Sequence, residues 1–442
     1  MTSKSKFKFE NGDLISFTWK NIEIQGVIIP STTAEVLMVK LPSGYNTGFN
    51  ILEIENAHVT KGEKHTLGKP PSREVKHNDN LPDVALIATG GTIATHVDYK
   101  TGGVYMTRTP EEVLAEIPEI DEIVNLSTLD SPFTIASEDM NSIHWQKIAQ
   151  LAVKRLNASG ARGAIVTHGT DCLGYTAAAL SFMVQGHKPI AITGAQRSPD
   201  RAGFDGKMNL LCAARYVASD FGETAVVMHG SISDDYCFAM RGTKVRKMHS
   251  TRRDAFRPIN STPLAKINYS TGQIERFEHA RQFKNEDVQL DDAFEPKVGF
   301  LKAVPGLTSE VIDFFVDKKY KGILIEGTAL GHVPTLYNDV TSKFEKNSWI
   351  PAIKRAIEEN ITVAITTQAI YGSTHSYVYR NLRLLSETGA VHCKDMLSET
   401  AYVKLGWLLG HKEYDMQKVS QLMTTNLVGE INDHITSSEF LN

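Results

Sequence analysis

The chain of 442 residues is too long for one ordinary hydrophobic core, so two or three domains are expected. Its composition, 41% hydrophobic and 22% charged, is that of a globular protein, and a formal net charge of −4 excludes a generally sticky nucleic-acid binder, leaving only a local basic patch for RNA. The 4 cysteines, Cys172, Cys212, Cys237 and Cys393, form no CxxC pair, a pattern that fits reduced thiols in a cytoplasmic protein better than a disulfide framework or a zinc site.

The chain starts with the polar stretch MTSKSKFKFENGD, which holds no apolar secretory segment. No later segment reaches the length of a membrane helix, so no membrane contact is expected. Short β-rich runs follow at Leu14–Trp19, Ile22–Ile28, Val36–Leu41 and Phe49–Ile54, bounded by turn-forming Asn-Gly-Asp and Pro-Ser stretches. Strands so short and closely spaced predict a small all-β barrel over residues 1–60. Residues 61–82, KGEKHTLGKPPSREVKHNDNLP, are charged, apolar-poor and hold three prolines, the composition of a linker.

From Val84 the pattern changes. Val84–Ala88 is a continuous apolar run, as expected of a strand buried on both faces. Further strands are expected at 163–167, 189–193, 225–228, 298–301, 322–325 and 362–365. Amphipathic helices are expected between them, for example at 143–156, 175–183 and 205–217. This alternation predicts a parallel sheet with helices on both faces. An acidic, loop-like stretch at 281–296 divides the region into a catalytic α/β domain at 83–285 and a smaller α/β domain at 296–442.

Chemistry in such sheets gathers at the carboxyl ends of strands. After the first strand comes Thr89-Gly90-Gly91-Thr92-Ile93, whose glycines permit a tight turn that presents the Thr92 hydroxyl as a candidate nucleophile. A plain glycine-rich turn or a nucleotide loop is the alternative, though neither a third spaced glycine nor a Walker lysine follows. After the 163–167 strand comes His168-Gly169-Thr170-Asp171. There a hydroxyl beside a carboxylate suits proton transfer, and the alternatives are a helix N-cap or a His168–Asp171 metal pair that lacks a third ligand.

Together, TGGTI and THGTD about eighty residues on identify the chain as a member of the L-asparaginase family, a resemblance that extends from about residue 83 to the C-terminus. Ser137-Glu138-Asp139-Met140 resembles the family's substrate-binding segment, Thr193–Arg197 its GAxR strand end, and Asp205-Gly206 with Asn209-Leu210 its DGxxNL helix start. Lys247, nine residues before Phe256, stands where the family keeps its catalytic lysine. The resemblance implies an asparaginase-like parallel-sheet core in two lobes. It implies that Thr92 attacks the substrate amide and forms an acyl-enzyme, while Thr170, Asp171 and Lys247 handle protons. It implies substrate contacts from Gly91, Ser137 and Glu138. Tyr105 resembles the lid tyrosine, with Tyr99 a second candidate. Glu138 departs from the glutamine of many free-standing asparaginases.

A small barrel, a charged linker and an asparaginase core resemble the D-subunit family of archaeal-type glutamyl-tRNA(Gln) amidotransferases, as do MRGTKVRKMHSTRRDAF and Gly327–Pro334. That resemblance implies release of ammonia from glutamine or asparagine and a partner E subunit that contacts glutamyl-tRNA(Gln). It further implies a homodimer of this chain at the centre of a heterotetramer, with ATP and Mg in the partner and no cofactor here. Two other readings are a free-standing L-asparaginase and a catalytically silent protein- or RNA-binding module. The basic cluster Arg241, Lys244, Arg246, Lys247, His249, Arg252, Arg253 and Arg257 is expected to be mainly a solvated face. The 397–409 helix is expected to lie in the core.

Overall fold

The structure, a computed structural model, describes residues 8–31, 33, 35–62, 77–97, 104–106, 109–199, 201–277, 280–335 and 348–440. Much of the expected linker, and Tyr99, lie outside them.

The N-terminal module is a five-stranded antiparallel sheet of β1 (Leu14–Trp19), β2 (Ile22–Ile29), β3 (Val36–Lys40), β4 (Asn46–Asn50) and β5 (Ile54–Thr60), in the order β4-β3-β2-β1-β5. The expected Phe49–Ile54 strand is split, because Asn50 caps a 3-10 turn at Ile51–Glu53 by accepting from the Leu52 N–H. In a flat sheet, β4 and β1 would lie roughly 14 Å apart at about 4.8 Å per strand. Phe49 of β4 nevertheless meets Phe17 and Trp19 of β1 with ring centroids at 5.0 and 5.4 Å, so the sheet rolls up around its own core.

The first α/β lobe opens with β6 (Asp83–Ala88), the short strands β7 (Thr95–Val97) and β8 (Val104–Met106), helix α1 (Pro110–Ala115) and β9 (Asn125–Asp130). Then come α2 (Ser142–Ala158), β10 (Gly163–Thr167), α3 (Leu173–Met183), β11 (Val184–Gln185), β12 (Ile190–Thr193), α4 (Gly206–Ala218) and β13 (Thr224–His229). The remaining strands are β14 (Tyr236–Arg241), β15 (Val245–Lys247), β16 (Phe256–Pro258), β17 (Ala265–Asn268), β18 (Ile274–Arg276) and β19 (Gln289–Leu290). The main sheet has eight strands in the order β18-β17-β14-β13-β12-β10-β6-β9. From β9 to β13 it is parallel, as expected, and β14, β17 and β18 extend it antiparallel.

Why the parallel strands read as unbroken apolar runs is visible in their packing. Ala85 and Ile87 of β6, Ala164 and Val166 of β10, and Ile190 and Ile192 of β12 face one core together with α2 and α3. The intervening Val84, Leu86, Ile165 and Ala191 face a second core against α4. Both faces are buried, so no polar residue is needed at the alternate positions.

The second lobe is a four-stranded parallel sheet of β20 (Val298–Lys302), β21 (Gly322–Gly327), β22 (Thr362–Thr367) and β23 (Val391–His392). Its helices are α5 (Glu310–Asp317), α6 (Ile350–Glu358), α7 (Arg380–Glu387), α8 (Ser398–Gly410) and α9 (Met416–Met423). Leu405, Trp407 and Leu408 of α8 are buried in the same core as α3, and Trp407 stacks on Phe182 with centroids 5.4 Å apart. The acidic stretch between the lobes is tied to the first one. Its β19 pairs with β11, and the Phe283 N–H donates to the Asp220 carbonyl at 2.7 Å. No helix among the described residues is long and apolar enough to cross a membrane.

Candidate active site

The site forms where β6 and β10, adjacent and parallel, reach their carboxyl ends. The Thr89 N–H and hydroxyl both donate to the Thr167 carbonyl, at 3.0 and 2.9 Å, locking the two strand ends together. Beyond this lock the TGGT turn uses Gly90 and Gly91 at φ 105° and 81°, a region that disfavours side chains. An added Cβ on Gly91 would lie 2.4 Å from Gly169 Cα and N, so the two loops touch backbone to backbone. Thr92 follows at once, as the first residue of a 3-10 turn (Thr92–Ala94), half-buried, with its carbonyl accepting from the Thr95 hydroxyl at 2.6 Å.

The second loop carries Thr170, 6% exposed, and Asp171, which is open to solvent. Neither caps α3, whose N-cap is Cys172 with no side-chain cap bond, so the helix-cap alternative for this motif does not hold. A metal role for His168 is also closed. Both its ring nitrogens are engaged, Nδ1 with the Gly169 carbonyl at 2.6 Å and Nε2 with the Thr176 hydroxyl at 2.8 Å.

Lys247 reaches this loop from the end of β15. Its strand pairs with β16 so that Lys247 stands opposite the buried Phe256, which explains the nine-residue spacing noted in the sequence. Lys247 Nζ donates to Thr170 Oγ1 at 2.9 Å and to Asp171 Oδ1 at 2.6 Å. The lysine side chain is 15% exposed and Asp171 65%, so a largely desolvated amine is tethered to a wet carboxylate. The arrangement can hold a hydroxyl proton and pass it toward solvent.

Ser137 is buried in a 3-10 turn (Ser137–Asp139), and its Oγ accepts from the Cys172 N–H at 3.3 Å. An added Cβ on Gly169 would meet Ser137 Oγ at 2.9 Å, so this turn forms a wall of the same site. Glu138, beside it, is exposed. Burial raises the Cys172 thiol pKa, and the carboxylates of Asp171 and Glu138 raise it further against Lys247, which marks how closely these charges converge. Thr92, Gly91, Ser137, Thr170, Asp171 and Lys247 are thus brought to one place. Tyr105 lies in β8, with His96 of β7 opposite it in the backbone register.

The structure adds residues that sequence reasoning left without a role. The buried Asp205 accepts from the Gln196 and Arg197 N–H groups and from Asn209 Nδ2, and Asn209 Nδ2 also donates to the Gly194 carbonyl at 2.9 Å. This network supports the loop beside Thr170, since an added Cβ on Gly194 would lie 3.3 Å from Thr170 Cγ2. Thr176 has no motif to mark it. It was visible only as a hydroxyl residue, like Ser181, in a largely apolar helix.

The basic cluster departs from the expected solvated face. Lys244 is 1% exposed and paired with Asp395, Arg241 with Glu223, Arg246 with Glu399, and Arg253 with Asp234. Arg252 and Arg257 both hold Asp254, whose pKa falls to about 2 because of the Arg252 hydrogen bond and then Arg257, against burial. His249 Nδ1 accepts from the Thr251 and Arg252 N–H groups. Each lysine or arginine in the cluster answers an acid within the chain.

Comparison with known proteins gives the chain's family. The family of the asparaginase N-terminal domain matches residues 83–281, the glutaminase/asparaginase C-terminal domain residues 297–423, and the GatD N-terminal domain residues 9–60. The chain is 46% identical to the glutamyl-tRNA(Gln) amidotransferase D subunit of Thermococcus kodakarensis, over 97% of this chain and 96% of that one. It is 40% identical to the corresponding protein of Methanosarcina mazei, over 96% and 99% of the two chains. Among solved structures it resembles the thermostable L-asparaginase of Thermococcus kodakarensis, with TM-score 0.68 and 25% identity over 80% of this chain and 100% of that one. L-asparaginase I of Vibrio cholerae gives TM-score 0.67 and 25% identity over 80% and 99%. The chain belongs to the family of glutamyl-tRNA(Gln) amidotransferase D subunits, built on an asparaginase core.

Proposed function

We propose that this chain is the glutamine-hydrolysing subunit of a tRNA-dependent amidotransferase, with Thr92 as its nucleophile. The observation that carries the reading is the Lys247 amine, bonded at once to Thr170 and Asp171 against the loop that presents Thr92. Thr92 Oγ attacks the side-chain amide carbon of glutamine, and its proton passes to the Thr170–Lys247–Asp171 group. The tetrahedral intermediate collapses with protonation and departure of ammonia, leaving a glutamyl ester on Thr92. A water then attacks the ester, loses a proton to the same group, and releases glutamate and the free hydroxyl. A threonine hydroxyl needs such an adjacent proton acceptor to react. Ser137 and Glu138 face the amino-acid end of the substrate, where the exposed Glu138 carboxylate suits its ammonium, and Tyr105 belongs to the lid over it.

The ammonia serves a partner E subunit that binds glutamyl-tRNA(Gln) and, with ATP and Mg, activates its glutamyl carboxylate. Two copies of this chain form the centre of a heterotetramer. The exposed run of Tyr377, Val378 and Tyr379, with Ile370, is the kind of apolar strip that association covers.

The test is ammonia release from glutamine and asparagine by wild type and Thr92→Val, alone and with the partner and glutamyl-tRNA(Gln). Glutamine hydrolysis stimulated by partner and tRNA, and abolished by Thr92→Val, is the expected result. Full asparagine hydrolysis by the chain alone would replace this reading with a free-standing asparaginase. Activity in no mixture would leave a binding module.

A further inference from the structure

His168 is a wholly buried histidine beside the proton-handling residues, and the proposed hydrolysis gives it no step. Its backbone is fixed, the N–H donating to the Thr193 carbonyl at 2.8 Å, and an added Cβ on Gly194 would lie 2.4 Å from its carbonyl oxygen. Its ring is fixed too. Burial pushes its pKa down to about 4, so the imidazole is neutral at physiological pH and has one donor and one acceptor nitrogen. The Gly169 carbonyl can only accept, so Nδ1 donates to it at 2.6 Å. Nε2 is then the acceptor, and the Thr176 hydroxyl of α3 donates to it at 2.8 Å.

This chain of bonds has a consequence one residue on. The carbonyl of Gly169 and the N–H of Thr170 belong to one trans peptide and point in opposite directions. Pinning the carbonyl onto the buried imidazole turns the Thr170 N–H away from the ring. That N–H makes no hydrogen bond among the described residues. We infer that His168 is a positioning residue for the amidase reaction. Held by Thr176, it fixes the Gly169–Thr170 peptide so that the Thr170 N–H donates to the oxyanion that forms when Thr92 attacks. The inference rests on the proposed glutamine hydrolysis and adds to it residues that never touch substrate.

The test compares Thr176→Val, Thr176→Ser and His168→Gln with wild type and Thr92→Val in the complete assembly with partner and tRNA, reading kcat, KM for glutamine and thermal midpoint. Loss of an oxyanion donor costs about 10²- to 10³-fold in kcat, and a misaligned one roughly 10- to 100-fold. Thr176→Val and His168→Gln should therefore lose kcat on that scale, with KM within about threefold. Thr176→Ser, which keeps the hydroxyl, should stay within about threefold of wild type in both. The inference is overturned if Thr176→Val and His168→Gln retain kcat, or lose it only in proportion to the folded fraction. It is overturned equally if KM alone rises or if Thr176→Ser fails like Thr176→Val. Activity that survives Thr92→Val, or an inactive wild type, would sink the underlying hydrolysis reading itself; loss with Thr92→Val but not with Thr176→Val would remove only the positioning role.

Discussion

Lys247 and Asp171 lie seventy-six positions apart in the chain, yet the amine of one sits 2.6 Å from the carboxylate of the other. The β15–β16 hairpin delivers the lysine to a loop set at the end of the central sheet. Lys247→Met should leave Thr170 without its donor and lower ammonia release by about 10²- to 10⁴-fold, the usual contribution of a positioned proton-transfer group. Asp171→Asn keeps an acceptor for the amine and should cost less. Steady-state assays of both variants check this, and a Lys247→Met enzyme within about threefold of wild type would refute the relay.

Gly91 should be as sensitive as any charged residue. At φ 81°, with a Cβ position 2.4 Å from Gly169, an alanine there both strains its own backbone and pushes the Thr170 loop away. Such strain costs about 1–3 kcal/mol. Gly91→Ala should lower the thermal midpoint modestly and kcat by more than tenfold. Gly160, also at positive φ but with nothing within 4 Å, is the control: Gly160→Ala should lower stability without lowering kcat.

Buried histidines give stability a defined pH dependence. Burial lowers His168 and His392 to about 4, and for His392 the neighbouring His375 and His332 add to the effect. Unfolded histidine titrates near 6.5. Between those values the unfolded chain binds protons that the folded chain refuses, so stability is full above about pH 6.5 and falls as pH drops toward 4. The loss approaches about 3 kcal/mol per histidine, taking about 1.4 kcal/mol per pH unit. Denaturation midpoints measured from pH 7 to pH 5 should fall, and His392→Asn should flatten that slope.

How much of this was legible beforehand varies with the physics involved. The parallel strands were readable because burial on both faces imposes unbroken apolar runs, and Gly163–Thr167 appears with the same limits in sequence and structure. The tight TGGT turn was readable because positive φ demands its two glycines. The antiparallel strands β14, β17 and β18 were not: Tyr236–Arg241 mixes buried Cys237, Ala239 and Met240 with half-buried Tyr236, Phe238 and Arg241, and β17 and β18 are only 4 and 3 residues long. The fate of the basic cluster was not readable either. Its acids, Glu223, Asp234, Asp395 and Glu399, lie on other elements, and only the fold brings them in.

That pairing predicts how the cluster behaves toward RNA. Arg252 and Arg257 are committed to Asp254, whose depressed pKa reflects both. A phosphate-contacting arginine would carry part of the salt dependence of tRNA binding, roughly one unit of slope per contact. Replacing both with glutamine should leave the slope for the complete assembly unchanged and lower the thermal midpoint. A slope reduced by about two units would instead assign them to RNA.

A buried ion pair joins the two lobes. Lys244 follows β14 in the first lobe, Asp395 lies between β23 and α8 in the second, and their side chains are 1% and 2% exposed. Asp395 also accepts from the Asn432 N–H at 3.0 Å, and Asn260 Nδ2 donates to its backbone carbonyl. Burial lowers the Lys244 pKa, opposed by Asp395, so removing the carboxylate would strand an amine without its counter-charge. Breaking a buried pair from one side costs about 3–5 kcal/mol, whereas replacing both partners with apolar groups can be nearly neutral. Asp395→Leu should therefore lower stability on that scale. Lys244→Met with Asp395→Leu should recover most of the loss but not all, because the Asn432 N–H remains unpaired. Chemical denaturation of the two single variants and the double variant gives the coupling directly. Additive losses would show that the pair contributes nothing to holding the lobes together.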